Sequence, residues 1–200
     1  MDSIAVQPFD VERQKFAVLT RGMISAPLAG AVYWSFLTAA SLFLSGQAWC
    51  IVAFFASGTI FPLALLLQKP TGSRMMVKDH PLGGAAGTAF VSVIVSWAVT
   101  IPAFHTAPSL VPLALAIGMG LHLPAVGWSL GIRSYVVQPI ARAAVAAVLW
   151  YALPELRFTA IPLAVALFYI GLIPFVLREV ATARKALGAS AERAAEATLA

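Results

Sequence analysis

Charge is missing from long stretches of this chain. No Asp, Glu, Lys or Arg stands between Arg21 and Lys69, between Asp79 and Arg133, or between Arg157 and Arg178. Hydrophobic residues make up 60% of the sequence and charged residues 10%, whereas a soluble domain carries about 25% charged residues. Apolar runs of this length have no place in a water-soluble fold. The chain is expected to be an all-α, polytopic integral membrane protein whose main partner is the lipid bilayer.

Length divides the runs into spans. Residues 22–68 as one helix would be about 70 Å long at 1.5 Å per residue, against a hydrocarbon core about 30 Å thick. The stretch must therefore fold back, and Ser45-Gly46-Gln47 supplies the turn chemistry. The second run, 80–132, breaks at Pro102 to Ser109. The third pair comprises a clean span at 160–177 and a less clear one at 137–153, which contains Arg142. An Arg near a helix end can extend to the headgroups, so this segment is kept as a span and Arg142 is expected at the interface.

The resulting fold is a six-helix transmembrane bundle built from three helical hairpins. Its spans are about 24–44, 48–67, 84–103, 110–130, 137–153 and 160–177. Residues 1–23 form an N-terminal tail with a short amphipathic segment. Residues 178–200 form a helical C-terminal tail, with helix expected to end near Gly188.

The cations between the spans set an orientation. Six spans place twelve Lys/Arg on one side, among them Arg13, Lys69, Arg142 and Arg178, and leave only Arg157 on the other. Lys/Arg excess marks the cytoplasmic face, so the expected topology is N-in and C-in, in a cell inner membrane. Five spans would move the C-terminal cations outside. The net charge of +5 is loop charge of this kind. It lacks the dense basic cluster of a nucleic-acid surface, and no nucleic-acid partner is expected.

Three similar strings, Phe61-Pro62-Leu63-Ala64, Val111-Pro112-Leu113-Ala114 and Ile161-Pro162-Leu163-Ala164, stand 50 residues apart. A true repeat would matter for a transporter. Pro62, however, falls late in its expected span and the other two early in theirs, so chance similarity is the preferred reading.

His122 is the sharpest candidate for chemistry. It lies near the middle of the fourth span, in Gly118-Met119-Gly120-Leu121-His122-Leu123-Pro124. Polar groups at that depth are costly and suggest function by default. Pro124 cannot donate to the Gly120 carbonyl, so Gly120 and Pro124 are grouped with His122 as a candidate ligand site. The bland alternative is a neutral imidazole bonded to a neighbouring helix, for instance through Tyr169. His80, His105 and His122 are expected in three separate places, so no metal site is expected, and no other cofactor is implied.

Gly127-Trp128-Ser129-Leu130-Gly131 matches the nucleophile-elbow pattern, but that motif needs a strand-to-helix turn. His122 lies about 10 Å away along the helix, so a chance match is preferred. Small-residue pairs such as Ala26/Gly30 and Gly83/Gly87 suggest close helix packing within the chain. Trp49, Trp128, Trp150, Tyr135 and Tyr151 are read as interfacial aromatics. Cys50, the one cysteine, is read as a packing residue.

Ile60-Phe61-Pro62-Leu63-Ala64, Pro81-Leu82-Gly83 and Gly120-Leu121-His122-Leu123-Pro124 together resemble the DUF7010 family of small multi-pass bacterial membrane proteins, over roughly residues 10–180. The resemblance implies a bacterial inner-membrane protein and no reaction. The leading expectation is a non-enzymatic membrane protein binding a small or lipid-like ligand near His122. The alternative is a small transporter or channel subunit, which would have to act as a homo-oligomer. An intramembrane enzyme is disfavoured because no catalytic pair is visible.

Overall fold

The computed structural model describes residues 6–44, 46–77 and 80–199. Ser45, within the expected first turn, lies outside the described residues. Ten α-helices and three short 3-10 turns account for most of the rest, with no strand among the described residues. Five helical stretches are long and apolar enough to cross a membrane, and a sixth is added when one bent pair counts as a span.

α1 (Val6–Thr20) ends at a sharp turn. Arg21, Gly22 and Met23 all adopt positive φ, at 51°, 63° and 53°. This left-handed turn separates α1 from α2 (Ser25–Ala40). The Tyr135 hydroxyl donates to the Gly22 carbonyl at 2.6 Å. The Arg74 N–H and the Ser73 hydroxyl both donate to the Thr20 carbonyl, at 3.1 and 3.3 Å. Buried backbone acceptors at the break are thereby satisfied.

α3 (Gly46–Ser57) and α4 (Ile60–Thr71) form the bent pair, with 49° between them. Pro62 explains the bend, because it has no N–H for the Gly58 carbonyl one turn earlier. The break sets Pro62 third in α4, so it is not late in a continuous helix. The corresponding Pro112 and Pro162 are second and sixth in their helices. Within the joined α3–α4 span, however, Pro62 still lies past the middle, so the three prolines are not at equivalent positions.

α5 (Pro81–Thr88) starts at His80, whose Nδ1 accepts the Leu82 N–H at 3.3 Å. α6 (Val91–Thr106) follows after a break at Ala89–Phe90 and runs four residues past Pro102, where the turn was expected. α7 (Val111–Gly118) and α8 (Leu123–Leu130) are separated at 119–122. α9 (Ser134–Ala152) is continuous. Glu179 caps its N-terminus from another helix, accepting the Arg133 N–H at 2.6 Å, the Ser134 N–H at 3.0 Å and the Ser134 hydroxyl. A carboxylate there also complements the positive end of the helix dipole.

α10 (Arg157–Leu199) is the spine. Its 43 residues run without a break, about 65 Å at the α-helical rise, and pass Gly188, where an end was expected. Ala, Glu, Arg and Lys around Gly188 are strong enough helix formers to carry one Gly. α10 packs against α1, α2, α7 and α9, and α2 also packs on α4.

The core holds Trp34, Trp49, Phe16, Leu37 and Tyr135, all essentially inaccessible. Trp49 and Tyr135 are therefore not interfacial aromatics. Each is a buried pin, with the Trp49 indole donating to the Leu37 carbonyl at 3.0 Å. Trp128 and Tyr151 are exposed. Outside, Phe43, Phe55, Leu66, Ile94, Val99, Leu167 and Phe175 face outward. An apolar exterior of this extent is suited to hydrocarbon rather than to water.

Candidate functional site

Three of the helix interruptions meet at one place. The first is 58–59, between α3 and α4. The second is 89–90, between α5 and α6. The third is the turn at 119–122, where Gly118 and Gly120 weaken the helix and Pro124 withholds a donor. The Gly120 carbonyl is not left free, because the Leu123 N–H reaches it at 3.0 Å in a tightened turn.

These breaks border a cavity of about 310 Å³. Ser57, Gly58 and Phe61 come from the first break, Phe90 from the second, and Met119 and His122 from the third; Trp34, Trp97 and Tyr169 complete much of the wall. The His122 ring stacks on Phe90, with centroids 4.7 Å apart and planes 25° from parallel. Its Nδ1 is buried with no hydrogen-bond partner among the described residues. The expected structural bond to Tyr169 is absent, since the Tyr169 hydroxyl donates instead to the Met119 carbonyl at 3.4 Å. His122 thus presents an unused polar atom beside an otherwise aromatic space.

Gly120 and Pro124 do not line the cavity with His122. Pro124 sits in the first turn of α8. Gly120 faces away, against Arg142, and a Cβ there would overlap the guanidinium. Arg142 is the residue that sequence reasoning misplaced. It does not reach the interface: it is ninth in the 19-residue α9 and only 1% exposed. Its guanidinium carbon lies 5.1 Å from the centre of the Tyr169 ring. None of its three nitrogens has a hydrogen-bond partner among the described residues. Gly30 supports the arrangement from the other side, since a Cβ there would lie 3.1 Å from the Tyr169 ring. Gly30, Tyr169, Arg142 and Gly120 form a continuous packed column from α2 to the α7–α8 turn.

The helix began at Ser134, not Val137, and that shift put Arg142 at mid-helix. The available signal was Gly120, whose missing Cβ leaves room for a long side chain. Of the other small residues, Gly118 lies against Ser96, whereas nothing lies within 4 Å of a Cβ placed on Gly87. The Gly83/Gly87 pair therefore does not form the helix-packing face expected of it.

The remaining motifs have local explanations. The Ser129 hydroxyl donates to the Ala125 carbonyl of its own helix at 3.0 Å, and Ser129 is buried. His80 stacks on Phe16, His105 lies beside Phe104, and neither approaches His122. Among the described residues no group of three His, Cys, Asp or Glu side chains is placed to hold a metal ion.

A larger groove of about 680 Å³ runs between α9 and α10, with Arg133, Ser134, Gln138 and Glu179 among its polar lining residues and Leu167 and Phe175 among its apolar ones. It is a furrow on the apolar exterior and holds none of the converging breaks. The smaller cavity is the better candidate because it combines backbone irregularity with an imidazole nitrogen that has no partner among the described residues.

A family model described as a family of unknown function, DUF7010, matches residues 9–179. No curated protein and no solved structure matches the chain.

Proposed function

We propose, for a chain that belongs to the DUF7010 family of unknown function, an integral membrane protein that binds a small ligand in the cavity beside His122. The observation that carries this reading is the cavity itself, which three helix irregularities border and beside which the buried His122 Nδ1 has no hydrogen-bond partner among the described residues. Only the first of these irregularities, between α3 and α4, bends its helix by more than 40°; Ala89, Phe90, Met119 and His122 keep right-handed helical dihedrals, and the helix is tightened there rather than opened. The cavity volume falls at the lower end of ordinary small-molecule sites, about 300–1,000 Å³, and its aromatic walls suit an apolar body.

The proposal retains six crossings, with α3–α4 as a broken span, both termini cytoplasmic, and a bacterial inner membrane. Charge supports this orientation. With Arg142 removed to the interior, eleven Lys/Arg remain on the side of the termini against Arg157 alone on the other. A second reading, a small transporter subunit acting as a homo-oligomer, is favoured by the broken helices themselves, because discontinuous membrane helices form the substrate sites of many transporters.

Ser57 lines the cavity beside the first break, so Ser57→Trp fills it from a position at a helix end. Native mass spectrometry of protein released from its own membranes should detect a retained small molecule, and Ser57→Trp should release it while leaving the thermal unfolding temperature within a few degrees. Absence of any retained molecule from the unmodified protein, or equal retention by the filled variant, would contradict the ligand reading.

A further inference from the structure

The charge next to the cavity has a sign and, among the described residues, no counter-charge. Arg142 is 1% exposed, and its guanidinium, with five N–H donors, meets no acceptor among the described residues. The Tyr169 face offsets part of the desolvation through a cation–π contact. That does not replace hydrogen bonds, and an unpaired buried charge is strongly unfavourable. The charge-free runs offer no help: no Asp or Glu occurs between Arg21 and Lys69, between Asp79 and Arg133, or between Arg157 and Arg178. On the remaining side, α9 itself carries no acid.

The cavity shares its wall with this charge. Tyr169 has the guanidinium over its ring and also lines the cavity. Met119 and His122, either side of Gly120, line it too, while Gly120 abuts Arg142. In surroundings of low dielectric the field of one cation extends across such a wall.

We propose that the ligand of this cavity is a small organic monoanion, held by the field of Arg142 behind Tyr169 and packed against the aromatic wall. This rests on the ligand-binding reading above. The charge count selects a monoanion, because a single cation neutralises a single negative charge. The rings of Trp34, Phe61, Phe90 and Trp97 select a flat or apolar body, such as an aromatic carboxylate. The volume of about 310 Å³ selects a small molecule over a membrane lipid. Gly120 is the residue that makes room for the cation, and Gly30 the one that seats the intervening ring.

The test compares two probes of one shape, benzoate and its neutral counterpart benzamide, on the full chain in nanodiscs of zwitterionic lipid at fixed salt. Calorimetric titration of the unmodified protein should give benzoate about tenfold or more tighter binding than benzamide, as one charge in a partly buried field implies. Arg142→Gln should bring the two within about twofold without weakening benzamide, and Arg142→Lys should keep part of the preference. Equal binding of the two probes, no benzoate binding, or an unchanged preference in Arg142→Gln would overturn the proposal. If Arg142→Gln does not fold, the comparison on the unmodified protein still decides. Benzamide binding, or a retained molecule lost in Ser57→Trp, with no benzoate preference would leave the cavity a ligand site and reject only its anionic ligand.

Discussion

Gly22→Val should destabilise the protein by about 2–5 kcal/mol, the sum of a left-handed backbone penalty of about 1–2 kcal/mol and an overpacking cost of about 1–3 kcal/mol. Gly22 has φ +63°, and a Cβ on it would lie 2.5 Å from Val176 Cγ1 and 3.1 Å from Val180 Cγ2, both on α10. No side-chain rotation of Gly22→Val relieves that contact, because the Cβ itself is misplaced. The carbonyl of the same residue accepts the Tyr135 hydroxyl, so any backbone shift that frees the new side chain also breaks a buried hydrogen bond. Thermal unfolding in detergent, followed by helical circular dichroism, should show a large fall in the transition temperature or a failure to accumulate. A transition within a degree or two of the unmodified protein would show that the turn between α1 and α2 does not pack on α10 in this way.

Arg142→Met should act in the opposite direction, stabilising the ligand-free protein by about 1–3 kcal/mol, because removal of an unpaired buried charge outweighs loss of its cation–π contact. Methionine keeps the unbranched stem and can occupy the space opened by Gly120. The same unfolding measurement should therefore register an increase in the transition temperature. A fall would mean that the guanidinium holds the bundle together through partners that the packing against Tyr169 and Gly120 does not supply. A stabilising substitution at this position is also what a functional charge predicts, since residues kept for binding are commonly held at a cost in stability.

The helical frame was legible because burial in hydrocarbon restricts composition so severely. Long stretches without charge can be little else than apolar helices, and the first half of Arg157–Leu199 follows directly, whereas Ser134–Ala152, which carries Arg142, was the less clear span. The interruptions were less legible. Pro62 was visible, but a proline acts on the carbonyl one turn earlier, so its break appears at Gly58–Thr59. Nothing as distinctive as a proline marks Ala89–Phe90, and that break emerges only in the packed bundle. His122 stood out as the one imidazole near the middle of an expected span. Its surroundings did not, because stacking on Phe90 depends on which helices meet. Arg142 was misread for a simple reason. Its depth depends on where α9 begins, and helix starts are uncertain by one turn when no side chain of the same helix caps them. Here the cap is Glu179, 45 residues further along the chain from Ser134.

The account rests on a solvent-reachable space at membrane depth beside His122. It is tested most directly by the collisional accessibility of a nitroxide spin label. The label would be placed at Ser57→Cys in a Cys50→Ala background, with Ile94→Cys on the apolar exterior of α6 as the reference position. In bilayers, the label at 57 should relax with a water-soluble nickel chelate, while the label at 94, whose native side chain is 69% exposed, should relax with oxygen and not with the chelate. A label at 57 protected from both relaxants would place it in a dry, closed core and contradict the account.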